Sequence, residues 1–580
     1  MPCLRALLAV LVLGGCHLLL PLQGTVDGGT PELEAGPDLD GLDAGPDLLV
    51  DPLEPPRPVA PLSGSTVTTL TPRFRWHRAH ETPDPDGRTR LEICGDPSCD
   101  DVLLWNNFTG DQGVLPPNNT LKQGKMYFWR LFSCQGLVTG TRPSQTWEFF
   151  LPHQSGLPGK PNTAWGNIAD INRDGLADLI VGADRENCVY LFHGDPSGQP
   201  VSAGSVVLSE PSFGEHLSAT DINGDGWTDL VVGSDHAADD DGKALVYLNG
   251  QGSWPLSPTQ ELLGKDPQGR FGINAALGDF DGDGYGDVAI SAYEAKFASN
   301  VGKVFLHRGG PAGLDPNSFV ELRSSTDRGL GFSLAAAGDV NGDGYADVLI
   351  GSYGEDASYV CYGGSVPPLS GPIDSCTRCT KIVGPDSGQF GFSVGGAGDV
   401  NGDGYADVLI GALAWNTHTG RAYLYLGGSA GVQKSPASTM QGTAEEGAFG
   451  HTVSGAGDVD GDGFADVIIG QPSYLPEALE RGRAFLYRGG TGGLESAPVE
   501  IGSPNPSLKL LFGLSVTGAG DLDGDGRSEV AVAAPEPKDN PPLPLPAVYI
   551  HGWPGSQLDM LGMLEGPVGS HFGVNIARTY

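Results

Sequence analysis

An all-β, repeat-built protein is the fold class this sequence predicts, and three observations carry it. A stretch reading GDVNGDGYADVLIG at 398–411 recurs seven times, its first Asp falling at Asp170, Asp221, Asp279, Asp339, Asp399, Asp458 and Asp521. The intervals are 51, 58, 60, 60, 59 and 63 residues, a period that marks a repeat architecture. The composition is turn-rich, with 90 Gly and 46 Pro among 580 residues.

The recurring stretch carries its own chemistry. In the fifth copy Asp399, Asn401, Asp403 and Asp407 stand at positions 1, 3, 5 and 9, and Gly404 at position 6. Oxygen side chains at alternate positions followed by a sharp glycine turn wrap the backbone around one hard cation, and such a donor set suits Ca²⁺. Tyr405 at position 7 would offer its backbone carbonyl, which leaves its side chain free to vary. The apolar run VLIG follows, so the loop lies between two strands rather than between two helices.

Charge agrees with this reading. Only 18% of residues are charged, yet the net charge is −38, and the seven loops concentrate the acid. Nucleic acid is excluded as a partner, because phosphate binding needs a basic face. Seven near-identical acidic clusters also argue against catalytic carboxylates, which need one asymmetric site with separated pKa values. No His-Glu-x-x-His or phosphate-binding loop is present.

Taken in order, residues 1–24 read as an export leader, a short head with Arg5 before an apolar run. Leu13-Gly14-Gly15-Cys16 resembles the bacterial lipobox, which implies lipidation at Cys16; cleavage near Gly24 and an uncleaved anchor are the alternatives. No other stretch is long and apolar enough to span a membrane. Residues 25–57, rich in Asp, Gly and Pro, read as an extended disordered spacer.

Residues 58–151 carry short strand-like pieces, PRFRW, RLEIC, KMYFWRLFSC and QTWEFFL. Their order resembles a fibronectin type III or related immunoglobulin-like β-sandwich. Trp76, Trp129 and Trp147 are then core residues, with an exposed ligand-binding role as the alternative. Cys94 and Cys99 are close enough for a local disulfide in an oxidising compartment. One disulfide is expected among Cys361, Cys376 and Cys379, while Cys134 and Cys188 either pair or stay free.

From residue 160 to 580 each unit holds four strand-like pieces, in the fifth FGFSVGGAG, ADVLIGA, RAYLYLGG and a piece near 438–442. The first is thick with Gly and Ala, as an inner strand near a crowded axis requires. Phe-Gly pairs open it at Phe213, Phe271, Phe390, Phe449 and Phe512, and Leu330-Gly331 takes that place in the fourth unit. Phe-Gly, the Asp-rich loop and an apolar strand ending in Gly-Ala or Ala-Ala-Pro together resemble the FG-GAP repeats of the integrin alpha-subunit head. Seven such units imply a seven-bladed β-propeller of four-stranded blades, preceded here by the small sandwich.

The resemblance implies about seven Ca²⁺ and carries the calcium positions onto this chain. They are Asp170, Asn172, Asp174, Leu176 and Asp178; Asp221, Asn223, Asp225, Trp227 and Asp229; Asp279, Asp281, Asp283, Tyr285 and Asp287; and Asp339, Asn341, Asp343, Tyr345 and Asp347. Asp399, Asn401, Asp403, Tyr405 and Asp407 follow, then Asp458, Asp460, Asp462, Phe464 and Asp466, and finally Asp521, Asp523, Asp525, Arg527 and Glu529. Arg173 replaces the usual Gly in the first loop and Glu529 the usual Asp in the seventh, so weaker or altered binding is expected at these two. The restart of a unit at 571–580 predicts a strand that closes the ring beside the first blade.

If the loops share one face, the connections after each second strand emerge on the opposite one. They bring Tyr293, Tyr353, Trp415 and Tyr474, which either form a ligand platform or pack on neighbouring blades. The expected function is a non-enzymatic adhesion or recognition module outside the cytoplasm, for an unidentified surface protein or glycan, touching membrane only through a lipid on Cys16. The rival is a calcium-dependent polysaccharide- or lipid-cleaving enzyme, or its accessory module. That rival needs a convergent Lys/Arg/His/Tyr cluster, which spacing does not assemble.

Overall fold

The computed structural model describes residues 55–577, less 62–64, 68–70, 79–87, 117–120, 136–137, 152–163, 166–168, 208–211, 294–301, 325–328, 366–369, 443–446, 473–481, 505–509, 537–544, 568–569 and a few single positions. The leader with Cys16, nearly all of the spacer, and Tyr474 lie outside the described residues. No helix among the described residues is long and apolar enough to cross a membrane.

The first ordered part packs two sheets. One holds Arg57–Ala60, Arg73–His77 and Gln112–Val114. The other runs in the order Ala164–Trp165, Ser65–Val67, Trp147–Leu151, Lys125–Gln135, Arg88–Cys94 and Val102–Thr109. Period-two alternation decides which residues face inward, and in Arg73–His77 it buries Phe74 and Trp76 and leaves Arg73 and His77 out. Trp129 meets Phe74 at 5.0 Å and Trp147 at 5.8 Å, both edge to face. Trp76, Trp129 and Trp147 are all buried, so they build the core and are not an exposed ligand surface. Burying each large side chain stabilises the fold by about 1.5–3 kcal/mol.

The repeat region forms seven consecutive sheets among the described residues. Sheets two to seven open at His216, Phe271, Leu330, Ser393, Thr452 and Val516, and each contains an antiparallel meander of four strands, to which sheet three adds a fifth. The fifth is Ser393–Gly398, Asp407–Ala412, Arg421–Tyr425 and Ser438–Gln441. Its inner strand is small for a steric reason: a Cβ on Gly396 would fall 2.6 Å from the Ala336 carbonyl of the preceding sheet. Ser393 Oγ donates to the Gly450 carbonyl of the next sheet at 2.8 Å. Phe390 is fully buried between sheets four and five, among Leu349, Ile382, Val408 and Tyr423.

Sheet one differs. It has only three strands of its own, Leu179–Ala183, Cys188–His193 and Val201–Val207. The chain's last described residues take the inner place. Ile576 bridges Val181 antiparallel, Gly182 N–H donates to the Asn575 carbonyl, and Ala577 N–H donates to the Ile180 carbonyl. Phe572 packs against Tyr190 at 5.3 Å and Phe192 at 6.1 Å. The segment Phe572-Gly573-Val574-Asn575-Ile576-Ala577 thus repeats the pattern of the other inner strands, and His571, just before it, contacts Asp184 across 387 residues of chain.

Ala164–Trp165, just ahead of the first Asp-rich loop, pairs with Val67 and Thr66 of the amino-terminal sheets. Its place in sheet one is already filled, and an exposed edge of the earlier sheet is open to it. Cys94 is joined to Cys99 and Cys361 to Cys379, whereas Cys134 and Cys376 are free thiols. The segment between Cys361 and Cys379 lays Gly371–Pro372 in parallel against the outer strand of sheet three.

Candidate metal centre

Asp-rich loops two to seven each join the first strand of a sheet to the second, loop one leads into Leu179–Ala183, and each loop's own backbone pins its acidic side chains. In loop five Asp399 accepts the N–H of Asp403 at 3.0 Å on one oxygen and of Gly404 at 2.8 Å on the other. Asn401 Oδ1 accepts Asp403 N–H at 3.0 Å, and Asp403 Oδ1 accepts Tyr405 N–H at 3.1 Å. Asp407 accepts Val400 N–H at 3.0 Å and Gly427 N–H at 2.9 Å, tying the loop to the third strand. Asp178, Asp229, Asp287, Asp347 and Asp466 repeat this double grip. A carboxylate has about four lone-pair sites, so these bonds leave room for an ion.

The donor set fits a hard divalent cation. Every side-chain donor is an oxygen. In loops three, six and seven, where position 3 is a carboxylate, one oxygen from each of positions 1, 3 and 9 lies within 4.8 Å of the other two. Oδ1 of Asp170 and Oδ1 of Asp281 are buried without a hydrogen-bond partner. Burial first, and neighbouring carboxylates next, push Asp170 and Asp221 up to about 7 and Asp521 up to about 8. Burial, opposed by backbone donors, raises Asp407 to about 8 and Asp399 to about 6. Buried carboxylates crowded in this way are stabilised by a divalent charge placed among them.

A pH prediction follows from the sign of these shifts. A carboxyl whose folded pKa lies above its unfolded value binds more protons in the native state, so its contribution to stability falls as pH rises from about 4 to about 8. Chelated protein is therefore expected to melt higher at pH about 5.5 than at about 8, and saturating Ca²⁺, which competes with those protons, inverts the order. Thermal melts at the two pH values with and without Ca²⁺ check this; no inversion would contradict it.

The loops are joined to one another, which the sequence did not reveal. Position 8 of each loop donates to the position 1 carbonyl of the loop before it: Gly286 to Asp221, Ala346 to Asp279, Ala406 to Asp339, Ala465 to Asp399 and Ser528 to Asp458, at 2.9–3.2 Å. Thr228 Oγ1 reaches the Asp170 carbonyl at 3.5 Å, and Ala177 donates to the Asp521 carbonyl at 2.9 Å, so the series closes from loop seven to loop one. The aromatic side chains at position 7 of loops three to six add a second link. A Cβ on Gly224, Gly282, Gly342 or Gly402 would fall 2.6–2.8 Å from Tyr285, Tyr345, Tyr405 or Phe464 of the following loop.

The two departures are accommodated. Arg173 takes the φ of +58° that glycines adopt at this position elsewhere, and its guanidinium stacks over Trp227 at 4.4 Å while donating to the Asp225 carbonyl at 2.8 Å. Glu529, one methylene longer, is buried and still accepts Leu522 N–H at 2.7 Å.

The amino-terminal sheets lie on loops two to four. A Cβ on Gly226 would fall 2.7 Å from the Phe128 ring, and one on Gly344 2.6 Å from Val59 Cα. Arg57 donates to the Asp343 carbonyl and stacks over Tyr345 at 4.2 Å. Glu148 is buried beside Asp221, and burial together with that charge holds its carboxyl well above the usual range. A Cβ on Gly404, position 6 of loop five, would meet none of the described residues within 4 Å.

At the other end of the sheets, Tyr293 and Tyr353 flank Phe332 at 5.3 and 4.9 Å, and Phe332 meets Phe392 at 4.8 Å. Phe392 in turn lies 5.5 Å from His451. This half-buried aromatic group crosses sheets three to six, and its inner members Phe332, Phe392 and His451 were missed. The signal was present, because each follows the Phe-Gly or Leu-Gly pair directly. Trp415 stands apart, under the Arg421 guanidinium at 3.4 Å.

Comparison with known proteins agrees with this geometry. The FG-GAP-like repeat family matches residues 170–232, 221–290, 399–469 and 458–532, and the FG-GAP repeat family matches 330–367. Integrin alpha-5 of Xenopus laevis is 34% identical over 350 residues, covering 52% of this chain and 32% of that protein. Human integrin alpha-7 is 30% identical over 297 residues, covering 47% and 24%. The repeat region is therefore an FG-GAP propeller of the integrin alpha-like kind, and the chain spans about a third or less of the length of these relatives. Among solved structures, "Structure of Dos1 propeller" aligns over 80% of this chain and 93% of its own at 12% identity and a TM-score of 0.35. "Crystal structure of exotype rhamnogalacturonan lyase YesX" aligns over 89% and 86% at 11% identity and a TM-score of 0.34. Likenesses this distant carry no argument about function.

Proposed function

We propose that this chain is an exported, calcium-loaded recognition module. Its seven-bladed propeller holds about seven Ca²⁺, one in each Asp-rich loop. The fibronectin type III-like or immunoglobulin-like sandwich and the acidic spacer carry it away from a cell surface, to which a lipid on Cys16 anchors it. Its ligand is a surface protein or glycan, and it performs no catalysis. One observation carries this reading: the same carboxylates recur in the same backbone bonds around a closed series of loops. Acid placed that way supports a scaffold and leaves the opposite end, with Tyr293, Phe332, Tyr353 and Phe392, as the working surface.

The experiment is a binding screen of the calcium-loaded chain against glycans and cell-surface proteins. A ligand so found is expected to lose about tenfold or more in affinity with Tyr353→Ala, the scale of a central aromatic at an interface. Undiminished binding by Tyr353→Ala and Phe332→Ala would remove that surface. Cleavage of a polysaccharide or lipid by the purified chain would overturn the non-enzymatic reading.

A further inference from the structure

We propose a second kind of metal site in this chain, for Zn²⁺ or a similar late first-row divalent ion, formed by Glu215, His216 and Asp235 of sheet two. His216 opens the strand that runs toward loop two, and it pairs with Gly233 near the end of the strand that leaves that loop. Glu215 and Asp235 flank this pair, so the three lie at the end of the sheet opposite the calcium loop. One ligand atom from each lies within 4.8 Å of the other two.

The cluster is not a solvated acidic patch. Asp235 is 2% exposed, and its Oδ1 has no hydrogen-bond partner. The Nε2 of His216 is likewise buried without one. Asp235 Oδ2 makes long ion pairs, 3.8 Å from an Arg270 nitrogen and 3.9 Å from His236 Nε2. His236 is oriented through its Nδ1, 2.7 Å from Asp240. A buried carboxylate and imidazole left in this state cost free energy, and an ion between them removes that cost.

The donor chemistry selects the ion. One imidazole and two carboxylates differ from the all-oxygen calcium loops and match the nitrogen and oxygen ligands of a three-residue zinc site with an open fourth position. The sequence shows a local departure from sheets three to seven at all three places. Where sheet two has Glu215-His216, those sheets have Ile273-Asn274, Phe332-Ser333, Phe392-Ser393, His451-Thr452 and Leu514-Ser515. Where it has Asp235, they have Tyr293, Tyr353, Leu413, Pro472 and Pro535, while sheet one has Asp184, whose carboxylate meets His571 at 2.7 Å. No other sheet combines a Glu, a His and an Asp at these three places.

The test uses the intact chain in excess Ca²⁺, which occupies the loops, with Co²⁺ added as a spectroscopic probe and Zn²⁺ as competitor. About one equivalent of Co²⁺ is expected to bind with the visible bands of a low-coordinate nitrogen–oxygen site and to be displaced by Zn²⁺. His216→Ala and Asp235→Asn are expected to abolish those bands, while Asp403→Asn in loop five keeps them. Glu215→Gln, at a half-exposed position, serves as the readout if a buried variant fails to fold. Absence of Co²⁺ uptake by the parent chain, or the same uptake by His216→Ala or Glu215→Gln, overturns the proposal.

Discussion

Chelating calcium is expected to lower the unfolding temperature of this protein by on the order of 10 °C or more. An ion at a hundredfold over its dissociation constant stabilises the native state by about 2.7 kcal/mol per site, and three such sites already give roughly 8 kcal/mol. For a chain this large each kcal/mol moves the midpoint by roughly 2 °C or somewhat less. The loops also act together. Position 8 of each donates to the position 1 carbonyl of its predecessor, so a loop that loses its ion loosens the backbone support of the next. Loops two to four carry the amino-terminal sheets as well, through Gly226 and Gly344 and through Arg57 over Tyr345. Calorimetry in millimolar Ca²⁺ and in excess chelator measures the shift. An unmoved transition would mean the loops are empty or dispensable, and their carboxylates would then have to be reconsidered as a working surface.

Cutting the closing strand has an effect of similar size. Phe572 and Ile576 are buried in the core of sheet one with Leu179, Val181 and Phe192. Removing a buried Phe side chain costs about 3–5 kcal/mol, so Phe572→Ala is expected to destabilise by about that much. Truncation after residue 567 costs more, because it also strips the bonds from Gly182 to Asn575 and from Ala577 to Ile180 and leaves sheet one with an open edge. Denaturant unfolding of the two variants checks the order, parent above Phe572→Ala above the truncation. A truncation that unfolds with the parent would show that residues 572–577 do not close the ring.

What the sequence revealed and what it hid have one physical division. The loops were legible because their ligands stand at fixed short offsets, Asp399 to Asp407 within nine positions, and because the pattern recurs near every sixtieth residue. The buried tryptophans were legible from alternation. Contacts about sixty residues apart were not: Tyr405 reads as an unconstrained position 7 until its ring is seen on Gly342. Arg173 reads as a defect in loop one until Trp227 is seen beneath it. A strand completed from the far end of the chain leaves no local trace at Ala164–Trp165, although the matching half, Phe572-Gly573, was visible in the tail. Glu148 beside Asp221 joins two regions that periodicity treats as separate.

The central claim is that the Asp-rich loops are calcium sites that recur around the whole propeller. Counting the ions tests it most directly, by native mass spectrometry of the intact chain or by elemental analysis after exhaustive dialysis against calcium-free buffer and reloading. About seven Ca²⁺ per chain is the expected result, one for each loop of the six-to-eight-oxygen kind. A count near zero, or one that does not fall when Asp399 and Asp403 are replaced by Asn, would contradict it.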